Sequence, residues 1–344
     1  MAKARISSDG VVTLQQVAQH VGLSTGTVSA VLNDSPAARA IPKRTKDRIL
    51  AAAQDLKYRP NFFARSLRNK RTFTIGVITE EIGDPYGAMV ISGIEAFLSG
   101  RKYFFLTVVH RHNPEMLQQY TGMLLSRGVE GFITVDTSAT QPPPLPTVAV
   151  AGHRSMKGVT NIVLDHVQAA QDVINHLVRL GHRNIAFIRG QPFSSDSADR
   201  WRAICDACSA LGIRMQSELT VQLQGDDPSP NLGYQATKEL LSRKPRFTAL
   251  FTYNDIAAIG AIRAIRESGL RVPKDVSVVG FDDIREAAYH LPSLTTVRQP
   301  LRQMGEIAAQ TLVERIEGQK KYPSEIAIKP ELVVRESTAE APAQ

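Results

Sequence analysis

Between Thr13 and Asn33 the chain reads TLQQVAQHVGLSTGTVSAVLN, and Ser24, Thr25, Thr27, Ser29 and Asn33 crowd short hydrogen-bonding side chains into ten residues. Hydroxyls and amides of this size can reach phosphate oxygens and base edges when a helix presents them. The elements that must position them are written in the same stretch. Thr13 and Gln16 have capping-box spacing, so the hydroxyl can take a first-turn N–H while the amide reaches back to the cap. Leu14, Val17, Ala18 and Val21 recur at helical spacing, Gly22 permits a tight turn, and Ser24 caps a second helix through Val28, Val31 and Leu32. With that stripe inward, Thr25, Gly26, Ser29 and Ala30 fall on the outer face. Two short helices joined by a glycine turn can set one helix in the DNA major groove while the other braces it. Thr13 and Leu14, opening the first helix, join the expected DNA contacts.

The charge follows the same segment. The 344-residue chain carries a net +8, yet residues 1–71 hold 13 Lys and Arg against 4 Asp and the remainder 28 against 29 acidic residues. A basic module of this kind neutralises phosphates and releases counterions. The alternative is a solvated basic tail, which would not need capped helices. Pro42 to Tyr58 reads as a third helix, with Ile49, Ala53 and Leu56 inward and Pro42 suited to its first turn. Pro60 then interrupts, and Asn61 can cap a following helix too short to be stable alone in water.

The length exceeds one such module and 43% hydrophobic content suffices for a large core, so at least two domains are expected. No apolar run could span a bilayer, and the opening MAKARISSDG lacks a signal-peptide stretch, which points to a cytoplasmic chain without membrane contact. Cys205 and Cys208 form a lone CxxC in a helical pattern, without the second pair or nearby His that a metal site needs. Gly22-Leu23-Ser24-Thr25-Gly26 matches the GxSxG string, but a helix precedes it where a nucleophile elbow needs a strand. No Walker motif, HExxH or GxGxxG appears, so neither catalysis nor a cofactor is expected. Asn33-Asp34-Ser35 matches a glycosylation string, without meaning in a cytoplasmic protein.

From about Thr72 the pattern changes to short apolar runs alternating with helical stretches. TIGVIT, YFFLTVV, GFITV, TVAVAG, NIAFIRG, ALFTY and VSVVGF read as buried parallel strands of a doubly wound α/β fold. Ligands of such sheets bind beyond the carboxyl ends of the strands. Polar residues gather there: Asp84 and Tyr86, Asp136, and His153 with Arg154 after the earlier strands, then Ser194 and Asp196, Asn254 and Asp282 after the later ones. Arg200 opens the helix following Ser194. Arg offers a rigid donor fork, Asp accepts only and Asn does both, a combination suited to vicinal hydroxyls. The alternatives are a helix cap for Asp282 and an ion pair with Asp196 or Asp199 for Arg200. Tyr86, Phe193, Tyr253 or Tyr289 could stack on a sugar face or belong to the core.

The order of helix-turn-helix, third helix and YRPNFFARSL segment resembles the lactose-repressor (LacI) family of bacterial transcription regulators. LVRLGHRNIAFIRG, FTYNDIAAIGAIRAI, LRVPKDVSVVGFDD and PSLTTVRQP extend the likeness along essentially the whole chain. The resemblance implies a helix-turn-helix headpiece over 1–60 and a hinge helix and linker over 61–71. A two-lobed core like type I periplasmic binding proteins follows over 72–336, its first lobe about 72–162 and 297–328, its second about 163–296 and 329–336. Residues 337–344 are left as a frayed tail. Crossovers are expected near Asn161–Asp165, Pro292–Thr296 and Ile326–Glu331.

By the same resemblance, paired hinge helices enter the minor groove with Leu67 as the wedge, alongside Asn61, Ala64, Arg65 and Arg68. A linker leucine resting on the core is the alternative. Positions matching Arg200, Asn254 and Asp282 hydrogen-bond the ligand, within a site that also takes Tyr86, Asp136, His153, Ser194 and Asp196. The family often carries larger polar side chains where this chain has Thr25, Gly26 and Ala30. Direct readout should therefore be sparse, with weight shifting to the hinge, DNA deformability and phosphate contacts from Ser24, Thr27, Ser29 and Asn33. A purine-binding relative would carry Arg in place of Ser194 and an aromatic near Gly152, so a carbohydrate effector is expected. The resemblance further implies a double-stranded DNA operator and a homodimer. Tetramers of the family add a C-terminal leucine heptad, and this chain ends STAEAPAQ. The competing classes are a solute receptor and an enzyme built on the α/β core.

Overall fold

The computed structural model describes residues 12–59, 66, 71–137, 144–152, 156–243, 246–318 and 320–342. They fall into two compact units, Met1–Thr72 and Phe73–Gln344.

In the first unit α1 spans Leu14–Val21, α2 Thr25–Leu32 and α3 Lys43–Asp55. Thr13 caps α1 in a complete capping box with Gln16, and Gly22 ends it at φ 65°, a left-handed turn that glycine adopts without strain. Ser24 caps α2 by accepting from Thr27 N–H at 3.1 Å. Val17, Val21, Val28, Val31, Ile49 and Ala53 close a small core, with Leu14 and Leu56 packed on its edge. A 3-10 turn over Pro36–Ala40, which the sequence reading did not anticipate, joins α2 to α3.

The second unit contains two six-stranded sheets of matching connectivity. In the first lobe β1 is Thr74–Thr79, α4 Pro85–Gly100, β2 Phe104–Val109, α5 Pro114–Ser126, β3 Gly131–Val135, β4 Thr147–Val150 and β5 Val159–Leu164. The second lobe takes α6 His166–Arg179, β6 Ile185–Arg189, α7 Ser195–Ala210, β7 Thr220–Gln222, α8 Asn231–Ser242, β8 Ala249–Thr252, α9 Asp255–Glu267, β9 Ser277–Asp282, α10 Arg285–Tyr289 and β10 Thr295–Arg298. The chain then returns with α11 Leu301–Ile316 and β11 Glu325–Ile328 and ends its strands with β12 Glu331–Val333. The strand orders are β11-β5-β4-β3-β1-β2 and β12-β10-β9-β8-β6-β7. All pairings are parallel except β10 with β12, which is antiparallel. Strands β1, β3, β4 and β5 are buried along their whole length, as expected of sheets covered by helices on both faces.

The chain passes between the lobes at Asp165, at Gln299–Pro300 and at Lys329–Pro330. The middle crossover lies beyond the expected Pro292–Thr296, because β10 keeps pairing with β9 as far as Arg298 opposite Asp282. The last residues are also anchored where fraying was expected. Ser337 is fully buried and its hydroxyl donates to Val278 O at 2.6 Å, Ala339 N–H donates to Ser277 Oγ at 3.0 Å, and Ala341 N–H donates to Leu180 O at 2.8 Å. An edge of the second lobe gives this strip donors and acceptors, which polar composition alone could not reveal.

Two helix pairs meet backbone to backbone. A Cβ on Gly93 of α4 would lie 1.9 Å from Arg302 O, and one on Gly305 of α11 2.1 Å from Val90 O. In the second lobe a Cβ on Gly260 of α9 would lie 1.9 Å from Pro230 O, and one on Gly233 of α8 2.2 Å from Ala257 O. Gly260→Ala should therefore lower core stability by about 1–3 kcal/mol, even though alanine is the better helix former. Gly122 of α5 has nothing within 4 Å of its Cβ position, and Gly122→Ala should be neutral or stabilising by up to about 1 kcal/mol. Urea unfolding of both variants checks the contrast, and equal effects would show that the close approach is not limiting.

Candidate functional site

The headpiece presents Ser24, Thr25 and Gly26 at the exposed N-terminus of α2, with Thr27 half-buried and Asn33 exposed beyond its C-terminus. Ser29 and Ala30 correct the sequence reading: they are 7% and 6% exposed, not outward. Four consecutive residues, Val28 to Val31, are buried because α1, α3 and the Pro36–Ala40 turn surround α2, with Ser35 N–H donating to Ala30 O at 3.0 Å. Asn33 Nδ2 donates to Ser29 O at 2.8 Å, which fastens the helix end. Of the candidate outward positions on α2, Thr25 thus keeps an exposed side chain, and Gly26 offers only its backbone. Thr13 is exposed as a cap and Leu14 is half-buried in the core. Asn61, Ala64, Arg65, Leu67 and Arg68 lie outside the described residues.

In the second unit the carboxyl ends of both sheets face one cleft. Tyr86, Asp136, Ser194, Asp196, Arg200, Asn254 and Asp282 all line it, joined by Asp84, Gln191, Phe193 and Tyr253. His153 lies outside the described residues. Each element delivers its group from a strand end: β1 leads to Asp84 and Tyr86, β3 to Asp136, β6 to Ser194 and Asp196, β8 to Tyr253 and Asn254, and β9 to Asp282. The strand order reverses beside β1 and beside β6, where diverging connections open a crevice. Tyr289 is 82% exposed and does not line the cleft, so of the four candidate aromatics Tyr86, Phe193 and Tyr253 remain. Both cysteines fall on α7 as free thiols, Cys208 fully buried.

Arg200 is 3% exposed and held on every side. Its Nη1 donates to Tyr253 O at 2.6 Å and its Nη2 to Asp196 Oδ2 at 2.9 Å, while its guanidinium carbon Cζ lies 3.7 Å from the Phe281 ring centroid and 4.5 Å from that of Tyr253. The ion pair considered from sequence forms, and its Nε is left buried without a hydrogen-bond partner. Asn254 caps α9 by accepting from Ala257 N–H at 2.9 Å. Asp282 caps no helix. It accepts from Gln299 Nε2 at 2.6 Å, tying the cleft to the middle crossover. Asp282 and Asp283 have φ values of 117° and 57°, strain that a surrounding framework must sustain. That framework includes Asp255, fully buried, which accepts from Thr296 Oγ1 at 2.6 Å and Ile284 N–H at 2.9 Å. Asp283 accepts from Arg298 Nε at 2.7 Å and Arg335 Nη2 at 2.6 Å.

Across the mouth His112 of the first lobe packs on Phe193 of the second, ring centroids 3.7 Å apart, and pairs with Glu80. Further carboxylates from Glu81, Asp226 and Asp227 line the same cleft. These acidic side chains, and Asp255 in the framework behind the cleft, were missed in the sequence reading. Glu80 and Glu81 directly follow β1, a position that could have flagged them, whereas Asp255 contacts Thr296 from 41 residues away and left no local signal. The Tyr86 hydroxyl is buried with no hydrogen-bond partner. Burial drives its pKa well above the usual phenol value, reinforced by Asp196, Asp136 and Asp282. Burial also raises Asp282 well above the ordinary carboxylate range, with Arg200 pulling the other way.

Burial pushes Asp255 up to about 7, and burial with Glu80 and Glu81 nearby pushes Asp84 up to about 6. Carboxyls whose folded pKa exceeds their unfolded value near 4 bind protons more tightly in the fold, so they favour it increasingly as pH falls. Their contribution to core stability should accordingly grow as pH drops from about 8 to about 5, against an opposite contribution from His110, His176 and His182, whose pKa values burial lowers. Asp255→Asn mimics the protonated acid, so the melting temperature of the parent relative to this variant should rise as pH falls. Thermal melts of parent and variant across that range check it, and a constant difference between them would remove Asp255 as a contributor.

Residues 13–61 match the family model described as bacterial regulatory proteins, lacI family, and residues 174–338 match the periplasmic binding protein-like domain. The chain is 34% identical over 341 residues to the HTH-type transcriptional repressor PurR of Erwinia tasmaniensis, covering 96% of this chain and 98% of that one. Among solved structures it is similar to a lac repressor dimer bound to operator and the anti-inducer ONPF, with TM-score 0.85, 27% identity and coverage of 96% of this chain and 99% of that one. It is also similar to the transcriptional regulator CelR in complex with cellobiose, with TM-score 0.70, 29% identity and coverage of 95% and 99%. A capped helix-turn-helix and a two-lobed parallel-sheet core, joined in one chain that matches repressors over nearly its whole length, settle the assignment: the chain belongs to the lacI family of bacterial regulatory proteins and is a DNA-binding transcriptional repressor.

Proposed function

We propose that this repressor acts in the cytoplasm as a homodimer on a pseudo-palindromic operator and is controlled by a small polyhydroxylated ligand, a carbohydrate, held between the lobes of its core. The observation that carries the reading is the convergence of Tyr86, Asp136, Ser194, Asp196, Arg200, Asn254 and Asp282 on one cleft. Few-donor, many-acceptor surroundings with an apolar wall match a sugar, which offers hydroxyl donors all round and an apolar face for an aromatic ring. Phe193 and Tyr253 supply such rings. The CelR neighbour, with cellobiose, supports the same ligand class.

A two-fold dimer fits the DNA mode, since one headpiece covers a half-site. The lac repressor neighbour is a dimer on operator, and Tyr289 and Leu291, 82% and 75% exposed, leave apolar surface suited to contact with a second copy. A cleft ligand alters operator affinity only through different affinities for two lobe arrangements. A solute receptor or an enzyme would use the same core without a basic headpiece. Salt-sensitive binding of the purified protein to its own upstream DNA separates these readings, and its absence would sink the regulator.

Asp282→Ala and Arg200→Ala should bind operator at near-parental affinity while effector binding weakens by about 1–3 kcal/mol, or more for a charged partner left buried. A carbohydrate screen by thermal shift, repeated on both variants, checks this. Undiminished ligand affinity in both would move the effector elsewhere.

Leu67 is proposed as the minor-groove wedge on the strength of the hinge resemblance. Unstacking a base step costs a few kcal/mol, which wedge contacts on bent DNA offset. Leu67→Ala should therefore weaken specific operator binding and reduce bending while non-specific, salt-dependent binding survives. A gel-shift bending assay decides, and parental bending by the variant would make Leu67 a linker residue.

A further inference from the structure

We infer that the effector cleft selects by charge as well as shape, accepting a polyhydroxylated ligand that is neutral or bears an amine and rejecting its phosphorylated or carboxylated counterparts. This rests on the polyol reading above and deepens it. The cleft lining carries eight carboxyl groups against Arg111, Arg200 and His112, and six of the eight remain acidic once Asp282 and Asp84, raised by burial, are set aside. Each of those basic groups lies beside an acidic one. Arg200 is bonded to Asp196 and Tyr253 O, Arg111 lies 3.9 Å from Glu81, and His112 pairs with Glu80. Counting both His153 and Arg154, which follow β4 in sequence and lie outside the described residues, as cationic and cleft-facing would still leave acidic groups in excess.

The surplus surrounds a cavity with room and need for a ligand. The Tyr86 hydroxyl and Arg200 Nε are buried polar atoms without partners on its lining, so a hydroxyl that accepts from Nε and exchanges a bond with the tyrosine would complete both. A phosphate could also accept from them, but it would bring two negative charges beside Asp136 and Asp196, into surroundings dry and acidic enough to hold Asp282 and Asp84 toward their neutral forms. Like charges brought together across a desolvated site cost far more than one added hydrogen bond returns. Asp84, on the first-lobe side, and Asp226, on the second, instead leave acceptors that an ammonium group can use.

The full-length protein can be tested with matched probes: ribose against ribose 5-phosphate, and glucose against glucosamine and glucose 6-phosphate, with cellobiose added as a larger neutral member. Thermal shift at saturating millimolar concentration comes first, then calorimetry on the members that bind. Wherever a neutral sugar binds, its phosphate should bind at least about a hundredfold more weakly, and the amine form as tightly or more tightly. Asp226→Asn, at the exposed rim, should lower affinity for the amine form relative to the neutral form by up to about fivefold. A phosphorylated sugar that binds as well as its parent overturns the charge selection while sustaining the polyol reading. Failure of every sugar to stabilise the protein overturns both, and an equal loss of neutral-sugar and amine-sugar affinity in Asp226→Asn would show that this residue acts through shape instead of charge.

Discussion

Where α4 crosses α11, and again where α8 crosses α9, carbonyl oxygens occupy the space that a Cβ would fill on Gly93, Gly305, Gly233 and Gly260. Helices that approach this closely lie nearer to each other than side chains would normally permit. Two of them, α4 and α9, begin at the cleft, where Asp84 and Tyr86 open one and Asn254 caps the other. The glycine seats therefore help fix the placement of cleft-lining groups at the start of these helices. Val90, Ile94, Met304 and Ala308 pack around the first seat, and Ala257, Ala261 and Leu240 around the second. Displacing either helix would open the core and misdirect the cleft together.

The same dependence explains what could be read from the sequence. The caps at Thr13 and Ser24 act over three residues, so their chemistry is local and the headpiece helices were legible. Strand-end positions were equally legible, since a buried apolar run followed by a polar residue marks both the strand and the edge at which it stops. Ser29 and Ala30 were misplaced because helical register gives a direction, while burial depends on what occupies that side, here the Pro36–Ala40 turn. Asp255 was overlooked for a related reason. Its partners Ile284 and Thr296 come from distant parts of the chain, and in sequence it reads as the residue after a cap.

The cleft is also where this fold gives up stability. Asp282 and Asp283 hold left-handed backbone conformations without being glycine, buried carboxyls stand well above their usual proton affinity, and the Tyr86 hydroxyl goes unbonded. Such costs concentrate where a binding surface must be ready before its ligand arrives. The surrounding framework sustains them. Asp255 ties the Ile284 backbone to Thr296, and Asp283 is gripped by Arg298 and Arg335, so the strained turn has little freedom to relax.

Those grips lie beside the passages between the lobes. Arg298 is the last residue of β10, and its Nη1 reaches Glu331, the first residue of β12, at 2.7 Å. Two of the three crossing strands are thereby clasped next to each other, and β10 and β12 pair along the same edge. A body joined to its neighbour by one strand can swivel in any direction; one joined by three, two of them clipped together, loses most of its twist and sideways slip. Such a clasp favours a hinge, with an opening angle as the easy coordinate, over twist or slip. A ligand that prefers one width of the cleft would then act along that angle, like the single needle of a gauge.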